Sequence, residues 1–300
     1  MKFEALYSFL NREQVLLDQP MSLHTSFKIG GTAPAIVTPK TADEIKQVIQ
    51  FCEASELPYH VMGNGSNILV DDDGVEGVVI KISDTMSGVT VSENQVIAEA
   101  GVLLSKLSKR VLRESLQGFE FASGIPGTLG GAIFMNAGAY GGEMKDVVKW
   151  VEVLTPDGMV KTISGEDMAF GYRTSVVREE NYIVLRAALV FTKGDYQEIL
   201  SITNDLTEKR VTKQPLDLPS AGSTFKRPEG YYAGKLIEDA GLRGLKYGNA
   251  MVSEKHCGFV VNTGGATCRE VMTLITTVQK IVHDRFDVTL EREVRIFGKE

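Results

Sequence analysis

The sequence predicts an α+β protein, and three observations carry that expectation. Short apolar strands recur between turn signals, as at 147–154 and 159–163 on either side of Thr155-Pro156-Asp157-Gly158. Amphipathic helices interrupt them. One opens on Thr41 with Glu44 three residues on and carries Ile45, Val48, Ile49 and Cys52 along one stripe. A glycine-dense run, FASGIPGTLGGAIFMNAGAYGG at 121–142, then sits mid-chain, where neither a helix nor a strand gains from glycine.

In chain order, HTSFKIGG (24–31) comes first, and the Thr41 helix follows and stops at Pro58. A strand at 59–62 runs into Gly63-Asn64-Gly65-Ser66-Asn67 and a second strand at 68–70. A strand at 78–82, a hairpin across Glu93-Asn94 and a helix with Leu103, Leu104, Leu107 and Val111 lead to the glycine run. Phe170-Gly171-Tyr172-Arg173-Thr174-Ser175 precedes an apolar strand at 182–191 and a long helix capped by Asp195. Past the proline-spaced segment 215–219 come a short helix with Leu236 and Ile237 and strands near 251 and 259–262. A helix with a Thr267/Glu270 capping box follows. The final strand alternates: Val288, Leu290, Val294 and Ile296 on one side, Glu291, Glu293 and Arg295 on the other.

The chain has 300 residues, room for roughly two domains, with 43% hydrophobic and 24% charged residues. A net charge of −7 argues against a general nucleic-acid binder but not against a local basic pocket. The three cysteines form no C-x-x-C and read as the reduced thiols of a cytoplasmic protein; the four histidines show no metal-ligand spacing. No metal site is expected. The N-terminus does not read as a signal peptide, and no apolar run suits membrane insertion.

Two glycine stretches invite an anion. The 121–142 run could place a helix start at 128–135 behind a glycine turn, offering free N–H groups and a positive dipole end. Gly63-Asn64-Gly65-Ser66-Asn67 could line a phosphate with backbone amides, or simply be a hairpin. It is not a Rossmann fingerprint: the third glycine is missing and no helix follows. Three positions could carry chemistry. Arg173 could grip a carboxylate, Ser223 could donate a proton, and Glu291 and Glu293 share a strand face with Arg295. Each alone reads equally as a solvated arginine, a turn and a surface face. No Ser/His/Asp setting is present.

Taken in order, several stretches resemble the UDP-N-acetylenolpyruvoylglucosamine reductase family. They are HTSFKIGG (24–31), MGNGSNILV (62–70), SGIPGTLGGAIFMNAGAYGG (123–142), GYRTS (171–175), SAGSTFKRP (220–228), KLIEDAGLRG (235–244) and LEREVRIFG (290–298). The resemblance implies a vanillyl-alcohol-oxidase-like (PCMH-type) FAD-binding domain plus a smaller α+β substrate domain. It implies FAD held non-covalently by Gly63, Asn64, Gly65, Ser66 and Asn67, and by Gly124, Ile125, Pro126, Gly127, Thr128, Gly130, Gly131, Asn136, Ala137 and Gly138, with NADPH as reductant. Ser223 matches the family's proton donor, Arg173 and Glu293 its other catalytic pair, and Tyr172, Arg227 and Lys235 fall where the UDP-sugar substrate binds. Hydride would pass from flavin N5 to the enolpyruvyl C3 and a proton from Ser223 to C2.

One departure stands out. The strand at 182–191 leads directly into the Asp195 helix, leaving little room for the tyrosine-bearing segment of longer members, so the chain resembles the shorter subclass. The expected layout is an FAD-binding region at 1–205, in subdomains of about 1–83 and 84–205, a substrate domain at 206–289, and a strand at 290–300 returning to the FAD-binding region. A cytoplasmic monomer is expected. Two other readings stay open: a flavin oxidase of the same cofactor fold, and a non-catalytic nucleotide-binding protein with no use for Ser223.

Overall fold

Parallel strands cannot be joined by a tight turn, and one such pair sets the layout of the N-terminal half. Tyr59–Met62 pairs in parallel with Val78–Lys81, Tyr59 opposite Val78 and Met62 opposite Lys81. The connection, 63–77, must therefore leave the sheet, and it carries the GNGSN loop and the strand Ile68–Val70. The structure, a computed structural model, describes residues 2–298. The chain divides into two units. Unit 1 holds the chain up to Leu16, Ile36–Asn64 and Val78–Arg210; unit 2 holds Leu17–Ala35, Gly65–Gly77 and Val211 onward. The division falls after Arg210, before the proline-spaced segment.

Tyr59–Met62 and Val78–Lys81 stand at one end of a four-stranded sheet in the order Val15–Pro20, Thr32–Val37, Val78–Lys81, Tyr59–Met62. Helix α1 (Ala42–Ala54) buries Ile45, Val48, Ile49 and Cys52, the stripe its sequence shows. Its capping box is only half made. Thr41 Oγ1 accepts from Glu44 N at 3.1 Å. The Glu44 carboxylate, however, accepts from Lys40 N at 2.6 Å and Gln14 Nε2 at 2.7 Å instead of reaching back to Thr41. Gln14 is buried, so its amide needs that acceptor.

The larger sheet of unit 1 is antiparallel, in the order Val160–Ser164, Val148–Leu154, Ile183–Val190, Gln95–Glu99 and Val89–Ser92. Both predicted hairpins are present. Helix α2 (Leu104–Arg113) buries Leu104, Leu107 and Val111, each leucine worth roughly 1.5–3 kcal/mol of apolar burial. Helix α3 (Leu129–Phe134) starts inside the glycine run. Helix α4 (Val176–Glu179) is a single turn, and α5 (Tyr196–Lys213) is capped by Asp195, whose carboxylate accepts from Gln197 N and Glu198 N.

In unit 2, Lys246–Tyr247, Ala250–Val252 and Val260–Asn262 form an antiparallel sheet. It shares one apolar core with helices α6 (Ala233–Asp239) and α7 (Cys268–Phe286), including Leu236, Ile237, Val252, Val260, Val271, Leu274 and Val278. The α7 start is doubly satisfied. Thr267 and Glu270 make the full capping box, and the Asp72 carboxylate accepts from Cys268 N at 2.6 Å and Arg269 N at 3.0 Å. The final strand is shorter than its alternation predicts. Only Arg295–Phe297 is a strand, pairing in parallel with Ile68–Val70, while residues 291–293 pair instead with 224–226. No helix among the described residues is long and apolar enough to cross a membrane.

Candidate active site

The glycine run sorts into packing glycines and open ones. A side chain at Gly63 would put its Cβ 2.2 Å from Thr128 Oγ1, so the first glycine loop lies directly against the second within unit 1. At Gly130 a Cβ would crowd Ala100 at 3.0 Å, and at Gly138 the Glu143 side chain at 2.7 Å. Gly131 is different: it is exposed, and the nearest atom to a Cβ there is Thr128 Oγ1 at 3.8 Å. Gly127 takes φ +122°, which only glycine adopts without strain. One expectation is corrected here. The first amides of α3 are not free: Leu129 N donates to Val102 O at 2.9 Å and Gly130 N to Ala100 O at 2.8 Å. That leaves exposed Gly131 and the loop ahead of the helix to face an anion; the loop holds half-buried Gly124, Ile125 and Gly127, exposed Pro126 and buried Thr128.

Asn136 and Ala137 are turned to the protein. Ala137 N donates to Ala132 O. Asn136 is 1% exposed, and its amide is fully engaged: Nδ2 donates to Glu143 Oε2 and to Gly171 O, each at 3.0 Å, while Oδ1 accepts from Lys145 N at 3.0 Å. The bond to Gly171 matters for the site, because Gly171 opens the turn that presents Arg173. Buried Ser175 fixes the other end, donating from Oγ to Phe134 O at 3.0 Å. Between these pins Arg173 sits at φ +60°, a conformation that costs a non-glycine residue energy and persists only where its surroundings impose it. Its guanidinium lies 5.0 Å from the ring centroid of exposed Tyr172.

Ser223 and Glu293 meet in unit 2. Thr224 is locked on three sides: its N donates to Gly258 O at 2.8 Å, its O accepts from Glu293 N at 2.9 Å, and its Oγ1 accepts from Val260 N at 2.8 Å. Phe225 and Arg292 bridge alongside, and Lys226 N donates to Glu291 O. This zipper leaves the preceding Ser223 exposed, after Gly222 at φ +78°, with the half-buried Glu293 on the paired segment. Asn67 ties the far end of the first glycine loop to the same place: its Nδ2 donates to Glu293 O at 3.3 Å and its O accepts from Arg295 N at 3.1 Å. Gly65 O accepts from Ser26 N, whose Oγ donates to Ser220 O at 2.7 Å, so HTSFKIGG braces both loops. Burial keeps His256 below its ordinary pKa; in its neutral form Nδ1 accepts from Gly258 N and so steadies the carbonyl that holds Thr224.

The remaining predicted residues are scattered over the surface of their units. Exposed Arg227 lies 4.0 Å from the Tyr232 ring centroid, and Lys226 pairs with Glu291 at 2.8 Å, which holds that carboxyl below its ordinary pKa. Lys235 pairs with Asp239 one turn along α6. Arg173 and Tyr172 belong to unit 1, and Ser223, Glu293, Arg227 and Lys235 to unit 2. Sequence reasoning missed Thr224 as the lock beside Ser223 and Asn136 as the pin beneath Arg173. A threonine inside a small-residue turn was the available signal for the first; the second depends on a distant contact. Among the described residues no cluster of His, Cys, Asp and Glu could hold a metal ion.

Residues 33–164 match an FAD-binding domain family, and residues 214–297 match the family described as UDP-N-acetylenolpyruvoylglucosamine reductase, C-terminal domain. A protein named UDP-N-acetylenolpyruvoylglucosamine reductase from Alkaliphilus oremlandii is 57% identical over 99% of this chain and 98% of its own. One of the same name from Clostridioides difficile is 49% identical over 98% and 97%. The crystal structure of UDP-N-acetylenolpyruvylglucosamine reductase from Thermus caldophilus matches with a TM-score of 0.80 at 35% identity, covering 95% of this chain and 98% of that one. The expected flavin-binding fold of the vanillyl-alcohol-oxidase type is borne out. On these likenesses the chain is an FAD-dependent oxidoreductase and belongs to the UDP-N-acetylenolpyruvoylglucosamine reductase family.

Proposed function

We propose that this chain reduces UDP-N-acetylglucosamine enolpyruvate to UDP-N-acetylmuramate with electrons from NADPH. The observation that carries the reading is the zipper of unit 2, which leaves the Ser223 hydroxyl exposed beside the segment bearing Glu293, in a chain whose relatives are named for this substrate. The residues fit a flavin nucleotide. Open Gly131, Gly127 at its positive φ and the close approach of Gly63 to Thr128 make a cradle that side chains would fill. Gly63, Asn64, Gly65, Ser66 and Asn67 and the 124–128 loop would hold FAD there, non-covalently. When bound, FAD takes a hydride from NADPH and supplies it to C3 of the enolpyruvyl group.

The chain's own residues do the rest. As negative charge builds on C2 and the carboxylate, the Arg173 guanidinium, held on its pinned turn, stabilises it through paired N–H donors. Glu293 assists in stabilising that charge. Ser223 then gives its hydroxyl proton to C2, so the hydride and one proton together saturate the double bond and leave a D-lactyl ether. Tyr172, Arg227 and Lys235 would bind the sugar nucleotide, the two cations meeting its phosphates.

The test is simple. Purified protein is expected to be yellow and to oxidise NADPH only when UDP-N-acetylglucosamine enolpyruvate is present, one NADPH per substrate reduced. Colourless protein removes the flavin reading. NADPH oxidation that follows oxygen and ignores the enolpyruvate favours a flavin oxidase.

A further inference from the structure

Arg210 lies in the last turn of α5. That helix turns one stripe inward, with buried Ile199 and half-buried Thr203, Leu206 and Arg210 at successive helical spacings. A stripe of this kind normally ends in another apolar residue. Here it ends in a guanidinium whose desolvation holds its pKa below the ordinary arginine value. Among the described residues Arg210 donates no hydrogen bond and enters no ion pair; the uncharged phenol of Tyr140 lies near it. A guanidinium has five N–H donors, and each one shielded from water and left unmet costs about 1–3 kcal/mol. The side chain is aimed at the glycine run. A Cβ on Gly124 would sit 2.7 Å from Arg210 Cδ, so the absence of a side chain at Gly124 is what lets the arginine lie against the loop 123–128.

We propose that Arg210 is a cofactor-binding residue whose guanidinium neutralises the diphosphate of FAD at this loop, an inference that rests on the reading that the chain holds FAD. Three considerations select that anion. Arg210, Gly124 and Tyr140 all belong to unit 1, as does nearly all of the FAD-binding match at 33–164. The oxidised isoalloxazine ring is uncharged, so the permanent negative charge of the resident nucleotide is on its diphosphate. Backbone amides carry no full charge, so in a chain whose net charge is −7 a cation at this loop is what would neutralise such an anion.

The experiment strips flavin from the purified protein and titrates the apoprotein with FAD and, separately, with riboflavin, following flavin fluorescence. Arg210→Met keeps the aliphatic stem and removes the charge. Its FAD dissociation constant is expected to rise about 10- to 100-fold, the worth of hydrogen bonds to a charged group, with riboflavin binding unchanged. The apoprotein is expected to melt no lower than wild type, since an unpaired, half-buried charge has gone. Arg210→Lys is expected to fall between, and the salt dependence of FAD binding to be shallower in Arg210→Met. Unchanged FAD affinity overturns the proposal. So does equal weakening of FAD and riboflavin, or a raised KM for the UDP-sugar with FAD affinity intact. A wild-type apoprotein that binds no FAD would instead defeat the functional reading itself.

Discussion

Replacing Asn136 with alanine tests whether a fully buried amide sets the geometry of Arg173. The substitution removes three hydrogen bonds, to Glu143 Oε2, Gly171 O and Lys145 N, each 3.0 Å long. A net loss of about 1 kcal/mol per bond gives about 3 kcal/mol. The stranded Gly171 carbonyl and Lys145 amide add to this unless water enters. In a chain of this size that is a fall of roughly 6–12 °C in melting temperature. Stability alone would not identify the role. The turn 171–175 loses its contact beneath Gly171 and keeps only Ser175 Oγ to Phe134 O, Arg178 Nη1 to Arg173 O and its own Gly171–Thr174 bridge, so Arg173 is held less firmly at φ +60°. We therefore expect kcat to fall about tenfold or more, the scale of a misplaced positioning group, while FAD content stays full below the melting temperature. Thermal denaturation of the holoenzyme and steady-state kinetics with the enolpyruvate substrate measure both. A melting point within about 2 °C of wild type, or a large stability loss with kcat untouched, refutes the pinning argument.

Gly127→Val places a β-branched side chain at φ +122° in the cradle; the protein should keep its circular dichroism but lose its flavin, and full flavin occupancy would move the cradle elsewhere. Thr224→Ala removes the acceptor for Val260 N and should cost about 1–2 kcal/mol in denaturant unfolding, where Ser223→Ala, which breaks no contact, should cost almost nothing. Burial pushes the Cys52 thiol up to about 11 and Cys268 up to about 12, so native protein should resist thiol reagents at pH 8. Unfolded thiols ionise near 9 while the folded ones keep their protons, so stability should fall as pH rises above 9, less steeply in Cys52→Ala.

Local signals in this chain were readable because local physics decides them. The Thr267/Glu270 box, the Asp195 cap, the turn at 155–158 and the stripe of α1 all appear where residue spacing puts them. Long-range satisfaction was not readable. Thr41 and Glu44 have the spacing of a full capping box, but a buried Gln14 from thirty residues away takes the Glu44 carboxylate. The glycine run could be seen as a cradle, yet the free amides expected at the start of α3 are spent on Ala100 and Val102. Asn136 looked like a cofactor ligand because it stands in a cofactor motif; only the fold shows its amide turned under the Arg173 turn. Residues 65–77 group with the C-terminal half because a parallel strand pair forces the intervening chain out of its sheet, a consequence of topology that composition does not carry.

The central claim is that Ser223 donates the proton of the second half-reaction. On this proposal NADPH would reduce bound FAD before any proton is needed at C2, so the two halves would separate cleanly in a stopped-flow experiment. Ser223→Ala is expected to bleach the flavin with NADPH at the wild-type rate. Reoxidation of its reduced flavin by UDP-N-acetylglucosamine enolpyruvate should be at least about a hundredfold slower, since a positioned general acid contributes ~10²–10⁴-fold. Ser223→Cys, which retains an acidic proton, should lose less. Equal slowing of both phases, or of neither, would contradict the account and remove Ser223 from the chemistry.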